Sequence, residues 1–185
     1  MAKVLYHVTM SLDGFIAGPD HAMDWIFRSS GPNPEPNPEA TAVIESTGAA
    51  LAGRNGYEVG RKQGQHPSAR KLFGGAWSGP IFVLTHQPPT DEDDPDITFL
   101  TGDIRAAVGK ALEAAAGKDL LVLGGTVAEQ CVSAGLLDEI LIHVAPVLLG
   151  DGIRLFERFG PAVDLEPISV SRSGRITNLR FSAVR

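Results

Sequence analysis

Short apolar runs and amphipathic stretches take turns along this chain, and their periods predict its elements. Val4–Thr9 alternates and is rich in β-formers, a first strand. Ser11–Asp20 reads as a glycine-containing loop, Asp24–Phe27 as an amphipathic piece, and Gly31–Pro38 as a proline-rich loop. Pro38–Ser46 predicts a helix with Ala42, Val43 and Ile44 inward and Glu39 near the positive end of its dipole. Gly48–Leu51 predicts a short strand, followed by a turn at Gly53-Arg54-Asn55-Gly56. Ile81–Thr85 and Ile97–Leu100 predict two further strands, joined by a polar, acidic loop over His86–Pro95. Asp103 is placed to cap a helix through Ala116, with Ile104, Ala107, Val108, Ala111, Leu112 and Ala115 on one face.

The most informative stretch comes next. Leu120–Leu123 is a short continuous apolar run, as expected of a strand buried on both faces. Gly124-Gly125 then removes side chains where the chain turns, and Thr126 opens a helix whose first N–H groups are free. Such a junction favours an anion through both its N–H groups and its dipole. Leu136–Ile142 and Ala145–Leu149 are apolar, Gly150-Asp151-Gly152 turns, and Leu165–Arg172 and Arg175–Val184 alternate around Gly174 as a hairpin. Strands alternate with helices to about residue 150 and then pair locally. This predicts a single-domain α/β fold: a three-layer α/β/α arrangement with a mostly parallel central sheet and an antiparallel C-terminal edge hairpin.

Composition narrows the class. The 185 residues are 43% hydrophobic, enough for a sizeable core. A net charge of -6 argues against nucleic acid as a partner. The lone Cys131 permits no internal disulfide and sits in an apolar helical stretch, as a core residue does. No apolar segment approaches the length of a membrane span, and the first strand begins directly after Met1-Ala2-Lys3, so the expected location is cytoplasmic.

Four segments are candidates for chemistry. Ser11-Leu12-Asp13-Gly14 follows the first strand, where open α/β sheets place ligands; Asp13 accepts hydrogen bonds there, or simply forms an Asp-Gly turn. Gly53-Arg54-Asn55 offers N–H groups and a fixed cation to phosphate, or is a surface turn. Thr85 and His86 end a parallel strand and face the ligand crevice, with a structural role as the alternative. The Gly124-Gly125 unit lacks the full dinucleotide and P-loop patterns, so a close packing contact competes with phosphate binding. His7 and His143 lie inside strands and read as satisfied core or edge residues. No metal set is expected: the histidines are dispersed, and Asp91-Glu92-Asp93-Asp94 lacks the ligand spacing of a calcium loop.

In their order, these segments resemble the dihydrofolate-reductase-like family that includes the C-terminal reductase domain of the bifunctional riboflavin-biosynthesis deaminase-reductase. The resemblance rests on Ser11-Leu12-Asp13-Gly14-Phe15-Ile16-Ala17, Asp24-Trp25-Ile26, Gly53-Arg54-Asn55, Phe82-Val83-Leu84-Thr85-His86, Gly124-Gly125-Thr126, Gly135-Leu136-Leu137-Asp138-Glu139-Ile140, Ala145–Gly152 and Leu155-Phe156. It implies an NADPH-dependent reductase that passes hydride to a small polar, pterin- or pyrimidine-like substrate, and a homodimer. It also implies that the Met10 backbone, Trp25 and Gly124, Gly125, Thr126, Val127 and Ala128 contact the cofactor. Gly53, Arg54 and Asn55 would hold phosphate, and Thr85 and His86 would lie near the adenosine ribose. Asp13 would orient the first loop beside the substrate, and Asp13, Asp24 or ordered water are the candidates for proton delivery after hydride transfer. The chain departs from the family pattern at Gly56, where a threonine is usual, and at Val122-Leu123, where an acidic residue often stands. The alternative is a non-catalytic nucleotide- or metabolite-binding module on the same fold.

Overall fold

The computed structural model describes all residues except 33, 64–71, 91–93, 158, 159 and 185, and the backbone alone of 61–63. The acidic run at 91–93 therefore lies outside the described residues. In chain order the elements are β1 (Val4–Ser11), β2 (Phe15–Ala17), α1 (Asp24–Ser29), α2 (Pro38–Ser46), β3 (Thr47–Gly53), α3 (Arg54–Gln63), β4 (Ile81–Leu84), β5 (Ile97–Leu100), α4 (Ile104–Ala114), β6 (Asp119–Leu123), α5 (Gly125–Ser133), β7 (Glu139–Ala145), β8 (Ile153–Arg154), β9 (Leu165–Ser173) and β10 (Ile176–Ala183).

Eight strands form one sheet in the order β5-β4-β3-β6-β1-β7-β10-β9. The six from β5 to β7 run parallel, while β10 and β9 continue the sheet antiparallel. The mostly parallel sheet and antiparallel edge match the fold expected from the sequence. Alternate residues supply the two faces. Val4, Tyr6, Ala49, Leu51, Leu120 and Val122 pack beneath α4 and α5, around Ala107, Ala111, Val127 and Cys131. Leu5, Ala50, Leu121 and Leu141 form the opposite core with Val43 of α2 and Trp77. Burial on both faces explains why Leu120–Leu123 reads as a continuous apolar run. It also pushes the Cys131 thiol up to about 12, leaving it inert.

Two caps fix helix starts. Asn37 Oδ1 accepts from the Glu39 N–H at 3.2 Å, and Asp103 Oδ1 accepts from Arg105 and Ala106 N–H at 2.8 and 3.1 Å.

Several local expectations need correction. Ala42 is exposed, and Val43 alone of its trio is fully buried. The turn expected at residues 53–56 is the first turn of α3. Parallel β3 and β4 need a crossover, and a helix supplies it despite two glycines that mask its pattern. Helix α5 begins one residue early, at Gly125. The apolar stretch Leu136–Ile142 contributes only its second half to a strand, β7, whose span over Glu139–Ala145 is set by its register with β1. The loop Ser11–Asp20 contains β2, which pairs with β8 far along the chain and so has no local signature.

Trp77 Nε1 donates to Thr47 O at 3.0 Å where β3 meets α2, and Gly48 lies beside it. A Cβ on Gly48 would stand 2.2 Å from Ala115 O and 2.8 Å from Lys118 Cβ. Backbone cannot yield there as a side-chain tip can. Gly48→Ala is therefore expected to destabilise the fold by about 1–3 kcal/mol, the usual range for overpacking, read by urea unfolding.

Candidate active-site cleft

The carboxyl ends of the parallel strands open into a cleft of about 920 Å³. This is the edge of an open α/β sheet where ligands bind, beyond the strands and between the helices that follow. Of the residues singled out from sequence, Gly53, Arg54 and Asn55 line it at the start of α3. Gly124, Gly125, Thr126 and Val127 line it at the start of α5, and Thr85 and His86 at the end of β4. Two helix N-termini thus converge on one cavity.

The local geometry leaves both termini approachable. Gly124 has φ +86°, a conformation that side chains resist, and a Cβ on it would meet nothing within 4 Å. No side chain caps α5, so its first N–H groups keep their donors for the cleft. Gly53 serves packing instead. A Cβ there would lie 3.1 Å from Val127 Cγ2, so the missing side chain lets β3 and α5 meet closely. Arg54 Nε lies 3.9 Å from Glu58 across a half-exposed pair. Such a pair contributes about 0–1 kcal/mol, too little to withhold the guanidinium from an anion. The Thr85 hydroxyl is buried and closes a turn, accepting from the Gln87 N–H at 3.2 Å, while His86 is exposed at the mouth.

Other nominated residues lie outside the lining. Met10 pairs with Val144 in the β1–β7 ladder. Trp25 is buried, its Nε1 donating to Ala22 O at 3.2 Å, and its neighbours Met23 and Ile26 reach the cleft instead. Ala128 is buried in the core beneath α5. Asp24 is exposed and pairs with Arg28 at 2.8 Å. Asp13 clamps two loops: its carboxylate accepts from the Ser11 hydroxyl at 2.6 Å, from Leu149 N–H at 3.1 Å and from Gly150 N–H at 2.7 Å. The Ser11 hydroxyl first, and then the Gly150 and Leu149 N–H groups, outweigh desolvation and lower its pKa from 3.8 to about 2. Close by, a Cβ on Gly152 would stand 2.1 Å from Ala17 O, so the clamp brings backbone against backbone. It seats β2 and β8, whose Ile16, Ala17 and Ile153 form part of the cleft wall. Neither aspartate lines the cleft.

His7 is the residue that sequence reasoning missed. It lines the cleft rather than sitting satisfied inside a strand. Its ring lies 5.6 Å from that of Phe73, and its Nε2 lies 2.5 Å from Nε2 of buried His143. Period-2 alternation from Leu5 to His7 carried the face, but no short pattern announced the partner on β7. Among the described residues no three His, Cys, Asp or Glu side chains gather as a metal site. No helix among them is long and apolar enough to cross a membrane.

The family described as "RibD C-terminal domain" matches residues 61–178, well over half of the chain. The uncharacterized protein YwjB of Bacillus subtilis (strain 168) is 25% identical over 182 residues, 97% of each chain. A solved protein of Shewanella sp. PV-4, named for riboflavin biosynthesis, has a similar fold with TM-score 0.82 at 23% identity, covering 99% of both chains. A pyrimidine reductase-like protein of Corynebacterium diphtheriae shares the fold at TM-score 0.64 and 14% identity, covering 100% of this chain and 92% of its own. The chain belongs to the RibD C-terminal domain family.

The Asp13 clamp makes a pH-dependent contribution to stability. Because its folded pKa is depressed, that contribution is complete above 3.8 and is lost as pH falls toward about 2. Thermal melts of the unmodified protein are expected to fall across that window, and Asp13→Asn is expected to flatten the fall. Identical slopes would remove the clamp.

Proposed function

We propose, from that membership, that the protein is an NADPH-dependent reductase of a small polar, pterin- or pyrimidine-like substrate, related in chemistry to the riboflavin-pathway reductases. The observation that carries this reading is the convergence of two helix N-termini and one fixed cation on a single cleft. Anionic groups are favoured there by N–H donors, dipoles and guanidinium together. The residues fit a cofactor with several phosphates. Arg54, Asn55 and the first N–H groups of α3 would take one anionic group, and the Gly124–Thr126 backbone another. Open space before Gly56 and Gly124 lets ligand atoms approach the chain itself. NADPH, when bound, supplies the two-electron reduction of a C=N or C=O group, and the protein supplies position and electrostatics.

No carboxylate lines the cleft among the described residues, so Asp13 and Asp24 are not placed to deliver a proton. That same observation favours a second reading, a binding module that holds the nucleotide without turnover. We also carry a homodimer and a cytoplasmic location in the proposal. Exposed Leu165, Ile168 and Val170 on the edge strand β9 support the first, as an apolar edge invites a partner.

Titration of NADPH, followed by its fluorescence, tests the reading. Arg54→Ala is expected to weaken binding roughly tenfold to a hundredfold, the range for one charge-assisted hydrogen bond. Unchanged affinity removes Arg54 from the site. If millimolar NADPH neither binds nor raises the melting temperature, the reductase reading is lost. Binding without NADPH oxidation across pterin and pyrimidine substrates leaves the module.

A further inference from the structure

Four hydrogen bonds run in series from the start of α2 to the cleft, and the first fixes the direction of all the others. The Glu39 N–H can only donate, so the Asn37 atom it meets at 3.2 Å is the oxygen. Asn37 Nδ2 therefore faces Asn178, donating to its Oδ1 at 3.0 Å. Asn178 Oδ1 can then only accept from His143 Nδ1, at 2.6 Å, while its Nδ2 donates to Ser171 and Ser173 hydroxyls at 3.1 and 3.2 Å. Asn37 Nδ2 also lies 3.2 Å from His143 Nδ1, but the shorter bond to Asn178 oxygen requires the proton on Nδ1. A neutral His143 is left with a bare Nε2. His7 must donate to it from its own Nε2 at 2.5 Å, which leaves His7 Nδ1 with a lone pair.

The surroundings keep both rings neutral. Burial first, then His143 and Arg180, hold His7 down to about 3. Burial also lowers His143, against the opposing pull of the Asn178 bond and Glu39. Arg180 on β10 is itself tied to buried Glu139 at 2.7 Å and lies 3.7 Å from Glu39 on α2, while Lys3 pairs with Glu139 from β7's other side. His7 Nδ1 has no hydrogen-bond partner among the described residues, and His7 lines the cleft beside Phe73. Arg54, at the start of α3, is the single fixed charge in the described lining. This end of the cleft thus offers an acceptor and an aromatic ring, with no charge of its own.

We propose that His7 contacts the substrate: its Nδ1 accepts a hydrogen bond from an N–H of an uncharged planar ring lying against Phe73, and His143, Asn178 and Asn37 are the positioning residues that hold it as an acceptor. This deepens the reductase reading and rests on it for the ring being a substrate. An anion meets a lone pair here and is repelled. A cation finds no carboxylate to pair with. A ring whose nitrogens are all alkylated has nothing to donate.

The test reads the histidine nitrogens directly by NMR, in protein carrying isotope-labelled histidine. His7 is expected as the Nε2–H tautomer and His143 as the Nδ1–H tautomer, both unchanged through neutral pH. His7 protonated on Nδ1 overturns the proposal. Asn178→Leu is expected to release the tautomers, and Asn178→Asp, which keeps an acceptor on His143 Nδ1, to retain them; a tautomer lost in the aspartate variant also overturns the relay. With NADPH present, uracil is expected to shift the His7 Nδ1 resonance and its N,N-dimethylated form to leave it in place. His7→Phe is expected to weaken uracil roughly tenfold without changing NADPH affinity. Equal response to both rings, or none to uracil, removes His7 from the substrate site. Failure of NADPH to bind either protein removes the reductase reading instead, and the tautomer spectra then decide the relay alone.

Discussion

Parallel ladders set the carboxyl ends of neighbouring strands side by side, and the β3–β6 ladder does this for the two strands that matter most. Its register runs from Ala49 opposite Leu120 to Ala52 opposite Leu123. Gly53 and Gly124 therefore leave the sheet at the same edge, each passing directly into a helix. Neither junction alone distinguishes packing from anion binding. The pairing makes them neighbours, and the missing Gly53 side chain lets Val127 close against β3. One arrangement thus lets α5 close against β3 and sets the starts of α3 and α5 in the wall of one cleft.

The opposite wall depends on a different constraint. Residues 11–18 and 147–155 meet with little regular structure, held by Asp13, by Leu12 N–H to Val147 O at 2.9 Å and by Leu155 N–H to Gly14 O at 2.9 Å. A carboxylate is suited to this because it accepts several N–H groups at once and meets donors that would otherwise stay unpaired. The aspartate that looked catalytic in sequence is thus a structural clamp, and its chemistry is spent on backbone donors. The same residue type, after the same strand, serves either role; the partners decide, and two of them, the Leu149 and Gly150 N–H groups, lie 136 and 137 residues away.

Legibility followed the range of the interactions. The parallel sheet, the Pro38–Ser46 helix, the Asp103 cap and the Gly124-Gly125 junction were readable because period, cap and turn are local. Nine of the nominated residues reached the cleft for the same reason: strand ends and helix starts fix them. What escaped was non-local or disguised. The β2–β8 pair has no pattern within either segment, and the start of α3 was hidden by Gly53 and Gly56, which resemble a turn. His7 departs from the expectation that a histidine inside a strand is satisfied. Here one nitrogen is satisfied and the other is left over.

That leftover nitrogen gives the cleft its polarity. Strand β1 stands two strands from β3, about 10 Å away at ordinary strand spacing. Over that span the lining passes from Arg54 and two positive dipole ends to a neutral imidazole beside a phenyl ring. A protonated His7 would erase the contrast, adding a second cation and drawing phosphate to the wrong end. Burial alone lowers the affinity of His7 for a second proton but leaves open which nitrogen carries the first. The chain through His143, Asn178 and Asn37 settles that choice from the backbone of α2, whose Glu39 N–H has only one way to act. A helix cap at the start of α2 thereby determines, along one face of the sheet, what kind of hydrogen bond a ligand meets at the cleft.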